Sequence, residues 1–343
     1  MKKETVALAM SGGVDSSVAA CLLLEQGYEV FGITMQLLDD EKSNQSIKDA
    51  KKVCDMIGIR HFVVDFKKEF KEIVIKNFIE AYQAGKTPNP CVVCNKYFKF
   101  GLFFDKAKQL GANKIATGHY AIIKNNKLIK SEVESKDQSY FLYGINKEIL
   151  PYIIFPLAAY HNKDEIRQIA RNYQLPVSEK KDSQEICFIP NDDYKSFLKN
   201  TPHLHEKTGN ICLEDGKTLG IHNGLTNYTI GQRKGLNIAY KEPLYVLKID
   251  NIKNEIIVGS NSHLYHKQLV ASSINQLEPF PNRAFAKVRS RSTPEEVTII
   301  FLDEGKILVD FKKEQRAITP GQSIVFYNSE NICLGGGIIE KVK

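Results

Sequence analysis

No stretch of the 343 residues approaches membrane-spanning length, and the opening run, Val6 to Met10 behind Lys2 and Lys3, is too short for a signal-peptide core. A cytosolic protein with no membrane partner is expected. A paired disulfide framework is missing too: the seven cysteines are odd in number and scattered from Cys21 to Cys333. In a reducing compartment, closely spaced cysteines read instead as metal-binding, redox or catalytic. There is no internal repeat and no low-complexity linker. Charge of one sign is only mildly in excess, at +7, which permits a nucleic-acid partner without demanding one. What is present is an ordinary globular composition, 43% hydrophobic and 25% charged, over a length that suits two or three domains.

The first third alternates strand and helix signals. Apolar runs at Thr5–Met10, Glu29–Met35, His61–Val64 and Lys114–Thr117 read as strands. Between them lie helical patterns at Val18–Leu24, at Ile47, Ala50, Cys54 and Ile57, at Lys67–Tyr82 and at Asn95–Leu110, with Gly27, Gly58 and Gly111 as stops. This order predicts an α/β domain around a parallel sheet covered on both faces. Beyond about Ile189, glycine-punctuated β-prone runs take over: Leu244–Ile249, Glu255–Val258, Ala284–Ser290, Thr298–Leu302, Lys306–Phe311 and Ser323–Tyr327. They predict two smaller β-rich modules, the last a small antiparallel barrel or sandwich. The expected domains are 1–195, 196–264 and 265–343.

SGGVDSS, Ser11 to Ser17, falls between the first strand and the first helix. Gly12 and Gly13 permit a tight bend that presents N–H groups, and a helix N-terminus adds donors and partial positive charge, so the loop invites phosphate. It lacks the Gly-Lys-Ser/Thr of a Walker A loop and the spacing of Gly-x-Gly-x-x-Gly. A plain glycine turn capped by Asp15 or Ser16 is the simpler reading of two glycines alone. The whole string, however, resembles the loop of ATP pyrophosphatases, which cleave between the α- and β-phosphates and transfer AMP to an oxygen.

TPNPCVVCNKYFKF, Thr87 to Phe100, carries two cysteines three apart. A structural zinc site would need a second close pair, and none exists. Pro88 and Pro90 deliver Cys91 and Cys94 from a loop into a helix, and a thiol at a helix N-terminus is expected to have its thiolate favoured. Cys187, between Ile186 and Phe188, read alone is a buried, inert thiol. Cys21, Cys54, Cys212 and Cys333 read as core.

Taken together, SGGVDSS, TPNPCVVCNKYFKF, ATGHYA, KDQSYFL, DSQEICFI, YTIGQRKGL and PGQSIVFY resemble, in order and over nearly the whole chain, the bacterial tRNA-specific 2-thiouridylases. The resemblance implies an ATP pyrophosphatase fold, a small central β-rich domain and a C-terminal antiparallel β-barrel that binds tRNA. It implies ATP-dependent 2-thiolation of the wobble uridine: adenylation of the C2 oxygen, then sulfur transfer from a cysteine persulfide, releasing AMP and pyrophosphate. By position Cys187 matches the persulfide carrier and Cys94 the nucleophile, with a disulfide between them as by-product or intermediate. ATP contacts are implied at Ala9, Met10, Ser11, Gly12, Gly13, Val14, Asp15, Ser16, Met35 and Gly118, with Asp15 placing Mg²⁺. Contacts with tRNA or its target base are implied at Asn89, Pro90, Cys91, His119, Lys136, Asp137, Gln138, Arg289, Ser290 and Gln322. The implied partners are tRNAs for glutamate, glutamine and lysine, and a persulfide donor such as a cysteine desulfurase or relay protein.

One position departs from the pattern. Well-known members carry aspartate where this chain has Cys91. Cys91, Cys94 and Cys187 would make three thiolates, enough for a [4Fe–4S] cluster with one open iron, so a persulfide relay and cluster ligation both stand. In PNRAFAKVRSRS, a strand over Ala284–Ser290 would put Lys287, Arg289 and Arg291 on one face, either for RNA phosphates or as a solvated basic face. Other readings are an ATP pyrophosphatase acting on a small metabolite, which needs neither the thiols nor a basic β module, and a redox-sensing RNA-binding protein, which leaves SGGVDSS unexplained.

Overall fold

The computed structural model describes residues 3–160, 162–180, 186–202 and 206–343. They form two compact units: residues 1–74, 91–184 and 330–334, and residues 75–90, 185–329 and 335–343.

The first unit is built on a five-stranded sheet. Its strands are β1 (Thr5–Ala9), β2 (Glu29–Gln36), β3 (Arg60–Asp65), β4 (Lys114–Ala116) and β7 (Ile153–Ile154), in the order β3-β2-β1-β4-β7 and paired in parallel. Val6, Ala7 and Leu8 of β1 are wholly buried, as a central strand covered on both faces requires. The first crossover helix, α1 (Val14–Glu25), is buried along most of its length, and Gly27, at φ +85°, follows its end. The second, α2 (Glu41–Ile57), starts with Asp40 accepting from Ser43 N and stops at Gly58, at φ +75°. Its face of Ala50, Val53 and Cys54 joins the core under β1 and β2. A hairpin of β5 (Ile122–Lys124) and β6 (Lys127–Ile129) completes this unit.

Strand order reverses at β1, with β2 on one side and β4 on the other. Ligands of open parallel sheets bind beyond the carboxyl ends of strands at such a switch point. Here those ends run into Met10–Gly13 and Thr117–Tyr120.

The second unit holds two β structures. β8 (Gly209–Leu213), β9 (Thr218–His222), β10 (Tyr245–Asp250) and β11 (Glu255–Gly259) form a sheet in the order β10-β11-β8-β9, closed over Ile211, Leu225, Val246, Ile256 and Val258. β12 (Tyr265–Gln276), β13 (Arg283–Lys287), β14 (Glu295–Phe301), β15 (Ile307–Arg316), β16 (Ser323–Tyr327) and β17 (Cys333–Val342) form a closed barrel, β12-β15-β14-β13-β16-β17. The expected C-terminal barrel is therefore present.

Three expectations need correction. The helix expected over Asn95–Leu110 starts earlier, at Pro90–Cys94, and runs on as a π-helix, Asn95–Leu102, before Phe103–Gln109. The helix expected over Lys67–Tyr82 is likewise interrupted by a π turn at Lys71–Ile75. The strand expected over Ala284–Ser290 ends at Lys287; Ala286, Lys287 and Val288 are buried in succession, so the alternation that would align Lys287 with Arg289 and Arg291 is broken.

Candidate functional site

The glycine loop stands at the switch point because β1 ends at Ala9 and α1 begins at Val14. Gly12 has φ +69°, and a Cβ there would sit 2.3 Å from the Ser46 carbonyl oxygen, so a side chain is excluded by both conformation and space. Ser11 and Ser16 bond each other across the turn, with Ser11 N donating to Ser16 Oγ at 3.3 Å. Ser16 and Ser17 hydroxyls donate to the Gly13 carbonyl at 3.1 and 2.8 Å. The loop is thus tied by its own serines, while the first N–H groups of α1 face its mouth. Neither Asp15 nor Ser16 caps the helix: Gly13 is the N-cap, without a side-chain bond. On β2, Thr34 Oγ1 lies 2.8 Å from both the Met10 carbonyl and His61 Nε2. The hydroxyl has one proton for the carbonyl, so Nε2–H donates to it, fixing the base of the loop next to Met35.

From β4 the chain turns through Gly118, His119 and Tyr120. A Cβ on Gly118 would lie 3.2 Å from Asp15 Cβ and Ser16 N, so this residue packs directly on the loop. Tyr120 OH donates to Asp15 Oδ1 at 2.9 Å. His119 is buried between Phe100 and Phe155, with Nδ1 2.7 Å from Thr117 Oγ1 and Nε2 3.3 Å from Lys99 Nζ. Burial, reinforced by the Lys99 charge, holds its pKa well below the ordinary value, so it is neutral near pH 7. The ammonium donates to Nε2, which leaves the ring proton on Nδ1.

Lys99 stands on the same helical run as Cys91 and Cys94. Those two cysteines are a turn apart in Pro90–Cys94; Cys91 is exposed and Cys94 half-buried. Contrary to the expectation of a favoured thiolate, both thiols lie above the usual value: loss of hydration raises them, and the Lys99 charge pulls in the other direction. The next residue, Asn95, is buried and donates to the Phe141 carbonyl at 3.0 Å, while its Oδ1 has no partner among the described residues.

Lys136, Asp137 and Gln138 divide their work. Asp137 is buried, accepting from Ser131 N, Ser139 N and the Ser139 hydroxyl. Gln138 Oε1 accepts from Tyr120 N at 2.9 Å. Lys136 is half-buried, its ammonium 6.0 Å from the Tyr120 ring centroid.

In the second unit, Cys187 is exposed, correcting the expectation of a buried thiol. Its neighbours Phe188 and Ile189 are buried, and Phe188 packs edge-on against Phe78 and Phe197, so the backbone is anchored beside a thiol that faces outward. Asp182–Glu185 of the same motif lie outside the described residues. Cys21, Cys54, Cys212 and Cys333 are buried as expected. Asn89 and Pro90 follow Thr87, whose N–H donates to the Pro320 carbonyl at 2.9 Å. Arg289, past the end of β13, donates to the Ala317 carbonyl at 2.8 Å and Thr319 Oγ1 at 3.2 Å, so its guanidinium is partly committed to the barrel; Ser290 and the exposed Arg291 follow it.

Mg²⁺ usually takes one or two carboxylates together with phosphate oxygens, and Asp15 beside the glycine loop fits that need. A [4Fe–4S] cluster would need a third thiolate gathered with Cys91 and Cys94. Among the described residues no group of three or more His, Cys, Asp or Glu side chains is placed to hold a metal ion.

Residues that sequence reasoning missed are Lys163, Lys180, Tyr120 and Lys99. Lys163 donates to Asp15, and Lys180 to the Gly12 carbonyl, across separations of 148 and 168 residues, which no local pattern announces.

A phosphate-ready loop on a parallel sheet, in a chain that also carries a small β-barrel, defines an enzyme of the ATP-using α/β class. Family profiles agree along the chain: residues 4–191 match one described as "tRNA methyl transferase HUP domain", 195–260 the corresponding "PRC-barrel domain", and 266–339 an "Aminomethyltransferase beta-barrel domain". The chain is 45% identical over 99% of its length to all of a tRNA-specific 2-thiouridylase MnmA 1 from Clostridium botulinum (strain Loch Maree / Type A3). It is 46% identical over 98% of its length to 99% of MnmA 2 from Clostridium tetani. A looser likeness, with TM-score 0.36 and 22% identity over 50% of this chain and 57% of the other, is to the U34-tRNA thiolase NcsA from Methanococcus maripaludis with its [4Fe-4S] cluster; at that level it carries no argument about the thiols here. The chain belongs to the MnmA family of tRNA-specific 2-thiouridylases, and its enzyme class is tRNA-uridine 2-sulfurtransferase.

Proposed function

We propose that the chain thiolates the wobble uridine of tRNA in two chemical steps, adenylation and sulfur transfer. The observation that carries this reading is the tripeptide Gly118–Tyr120. It packs on the glycine loop through Gly118 and Tyr120, and reaches the thiol-bearing helical run through His119 and Lys99. The glycine loop and the helical run that carries Cys91 and Cys94 are thus linked within the first unit, which supports this reading.

The uridine C2 oxygen is a poor leaving group. Its attack on the α-phosphorus of ATP forms an O–P bond and breaks the bond to the bridging oxygen, releasing pyrophosphate. Met35 and the Ala9–Ser16 segment hold the nucleotide, and Asp15 would hold Mg²⁺, which would supply charge neutralisation for the phosphates. A persulfide on Cys187 supplies sulfur to C2, AMP departs with the former C2 oxygen, and Cys94 attacks the persulfide to complete release, leaving a Cys94–Cys187 disulfide. Neutral His119, aromatic-walled, suits a base turned out of an anticodon loop, where unstacking is cheap. Lys136, Arg289, Ser290 and Gln322 serve the RNA. The three domains are 1–195, 196–264 and 265–343, the location is cytoplasmic, the substrates are tRNAs for glutamate, glutamine and lysine, and sulfur arrives from a cysteine desulfurase or a relay protein.

The test is AMP and pyrophosphate formation from ATP, with 2-thiouridine in the product tRNA, in the wild type and in Cys94→Ala and Cys187→Ala. Each variant should lose thiolation while keeping tRNA affinity within about twofold, because phosphate contacts dominate binding. Full thiolation by either variant would remove the assigned roles.

A further inference from the structure

SGGVDSS contains an acid and no base. A loop that is to hold a triphosphate commonly carries its own lysine, and this one does not. Two lysines from far along the chain come to it instead. Lys163 Nζ donates to Asp15 Oδ1 at 2.6 Å. Lys180 Nζ donates to the Gly12 carbonyl at 2.9 Å and to Asp49 Oδ2 at 2.5 Å.

One helix, Lys163–Asn172, carries the first lysine and braces the segment that carries the second. Lys163 is its first residue, behind Asn162, whose side chain accepts from Glu165 N. Arg167, a turn later, donates to the carbonyls of Ser178 and Lys180 at 3.4 and 3.3 Å and so fixes the backbone that presents Lys180. Ile166 and Ala170 bury that helix in the same core cluster as α1, the helix that opens at the glycine loop. The side chains of Lys163 and Lys180 are 16% and 35% exposed, so both ammonium groups are partly withdrawn from water. Ordering two long side chains costs rotamer entropy that a partly exposed ion pair does little more than offset. A role confined to stability is a weak account of such a mount.

We propose that Lys163 and Lys180 bind the pyrophosphate portion of ATP, exchanging Asp15 and Asp49 for phosphate oxygens. This deepens the adenylation reading and rests on it. When the α-phosphorus passes to the uridine oxygen, the electron pair of the broken bond goes to the departing pyrophosphate, and fixed ammonium groups stabilise that charge. Release of Asp15 from Lys163 by the same exchange makes its carboxylate available to Mg²⁺. The two lysines are binding residues for the leaving group, and Arg167 is a positioning residue for Lys180.

The experiment is calorimetric titration of the full chain with inorganic pyrophosphate, AMP and ATP in magnesium buffer. Lys163→Met and Lys180→Met should each weaken pyrophosphate binding by about tenfold or more, and change AMP binding by less than about twofold. Asp49→Asn removes the carboxylate that competes for Lys180 and should tighten pyrophosphate binding. Wild-type pyrophosphate affinity in both methionine variants, or unchanged or weaker binding in Asp49→Asn, overturns the proposal. If a methionine variant fails to fold, Asp49→Asn decides alone, because a purely structural lysine predicts no tightening. A wild-type chain that binds neither ATP nor pyrophosphate would instead overturn the adenylation reading.

Discussion

Gln322 grips the backbone of Thr87. Its side-chain amide donates to the Thr87 carbonyl at 3.0 Å and to the Pro88 carbonyl at 3.2 Å. Beside it, Gly321 adopts φ +91°, and a Cβ there would lie 2.8 and 2.9 Å from Thr87 O and N. Gly321→Ala therefore meets both an unfavourable conformation and a clash with backbone, and should cost about 1–3 kcal/mol, read as a drop of several degrees in Tm. Gln322→Ala loses hydrogen bonds worth about 1 kcal/mol each and should do less harm. A Gly321→Ala chain as stable as the wild type would mean that the Thr87 segment yields freely.

Arg289 and Arg291 should separate on mutation. Arg289 is bonded to the Ala317 carbonyl and Thr319, so Arg289→Ala should lower stability by about 1–3 kcal/mol as well as tRNA affinity. Exposed Arg291 should lose affinity alone, with the slope of log K against log salt reduced by about one. Binding measured at several salt concentrations alongside thermal melts distinguishes them, and an unchanged slope in both would leave this basic stretch as a solvated face.

Cys91 offers a direct contest between relay and cluster. Cys91→Asp places the family's commoner residue at an exposed position on the same turn as Cys94. We expect thiolation to survive or rise under strict exclusion of oxygen with persulfide-loaded enzyme, because a carboxylate can assist proton transfer. Activity and bound iron lost together would decide for the cluster.

His119 predicts a pH dependence of stability. Its folded pKa is depressed, so the unfolded chain binds the extra proton more readily, and stability rises with pH through that window. The contribution is complete above about 6.5, the ordinary histidine value, and is lost as pH falls through the depressed folded value. Thermal midpoints between pH 7.5 and 5 should fall less steeply in His119→Gln than in the wild type, whatever the variant's absolute stability. Parallel curves would mean that the ring is not buried neutral.

Much of this was legible in sequence because it is local. Thr5–Ala9 is a continuous apolar run, Gly58 follows the last periodic residue of α2, and two glycines between a strand and a helix announce an anion loop. The missed features depend on partners far away in the chain. Lys163 and Lys180 look like surface lysines until the fold brings Asp15 and Gly12 beneath them. Lys287 looks exposed by alternation, but the backbone leaves the strand after it. The final strand, β17, hides behind Gly335, Gly336 and Gly337, which weaken every strand signal. Their value is spatial: a Cβ on Gly337 would lie 2.5 Å from Ile274 Cδ1 and 2.8 Å from Ser272 O, so glycine there lets the barrel close.

The π segment over Asn95–Leu102 makes length matter more than lettering. A π turn holds an extra residue relative to α spacing, so it swings everything before it around the axis against everything after it. Cys94 precedes that swing and the Phe103–Gln109 helix follows it. Removing one residue between them would let the run relax into an ordinary α-helix and turn the thiols away from the frame set by His119 and Phe141. Insertions and deletions here should be less tolerated than most substitutions, even though Lys96 and Tyr97 face solvent.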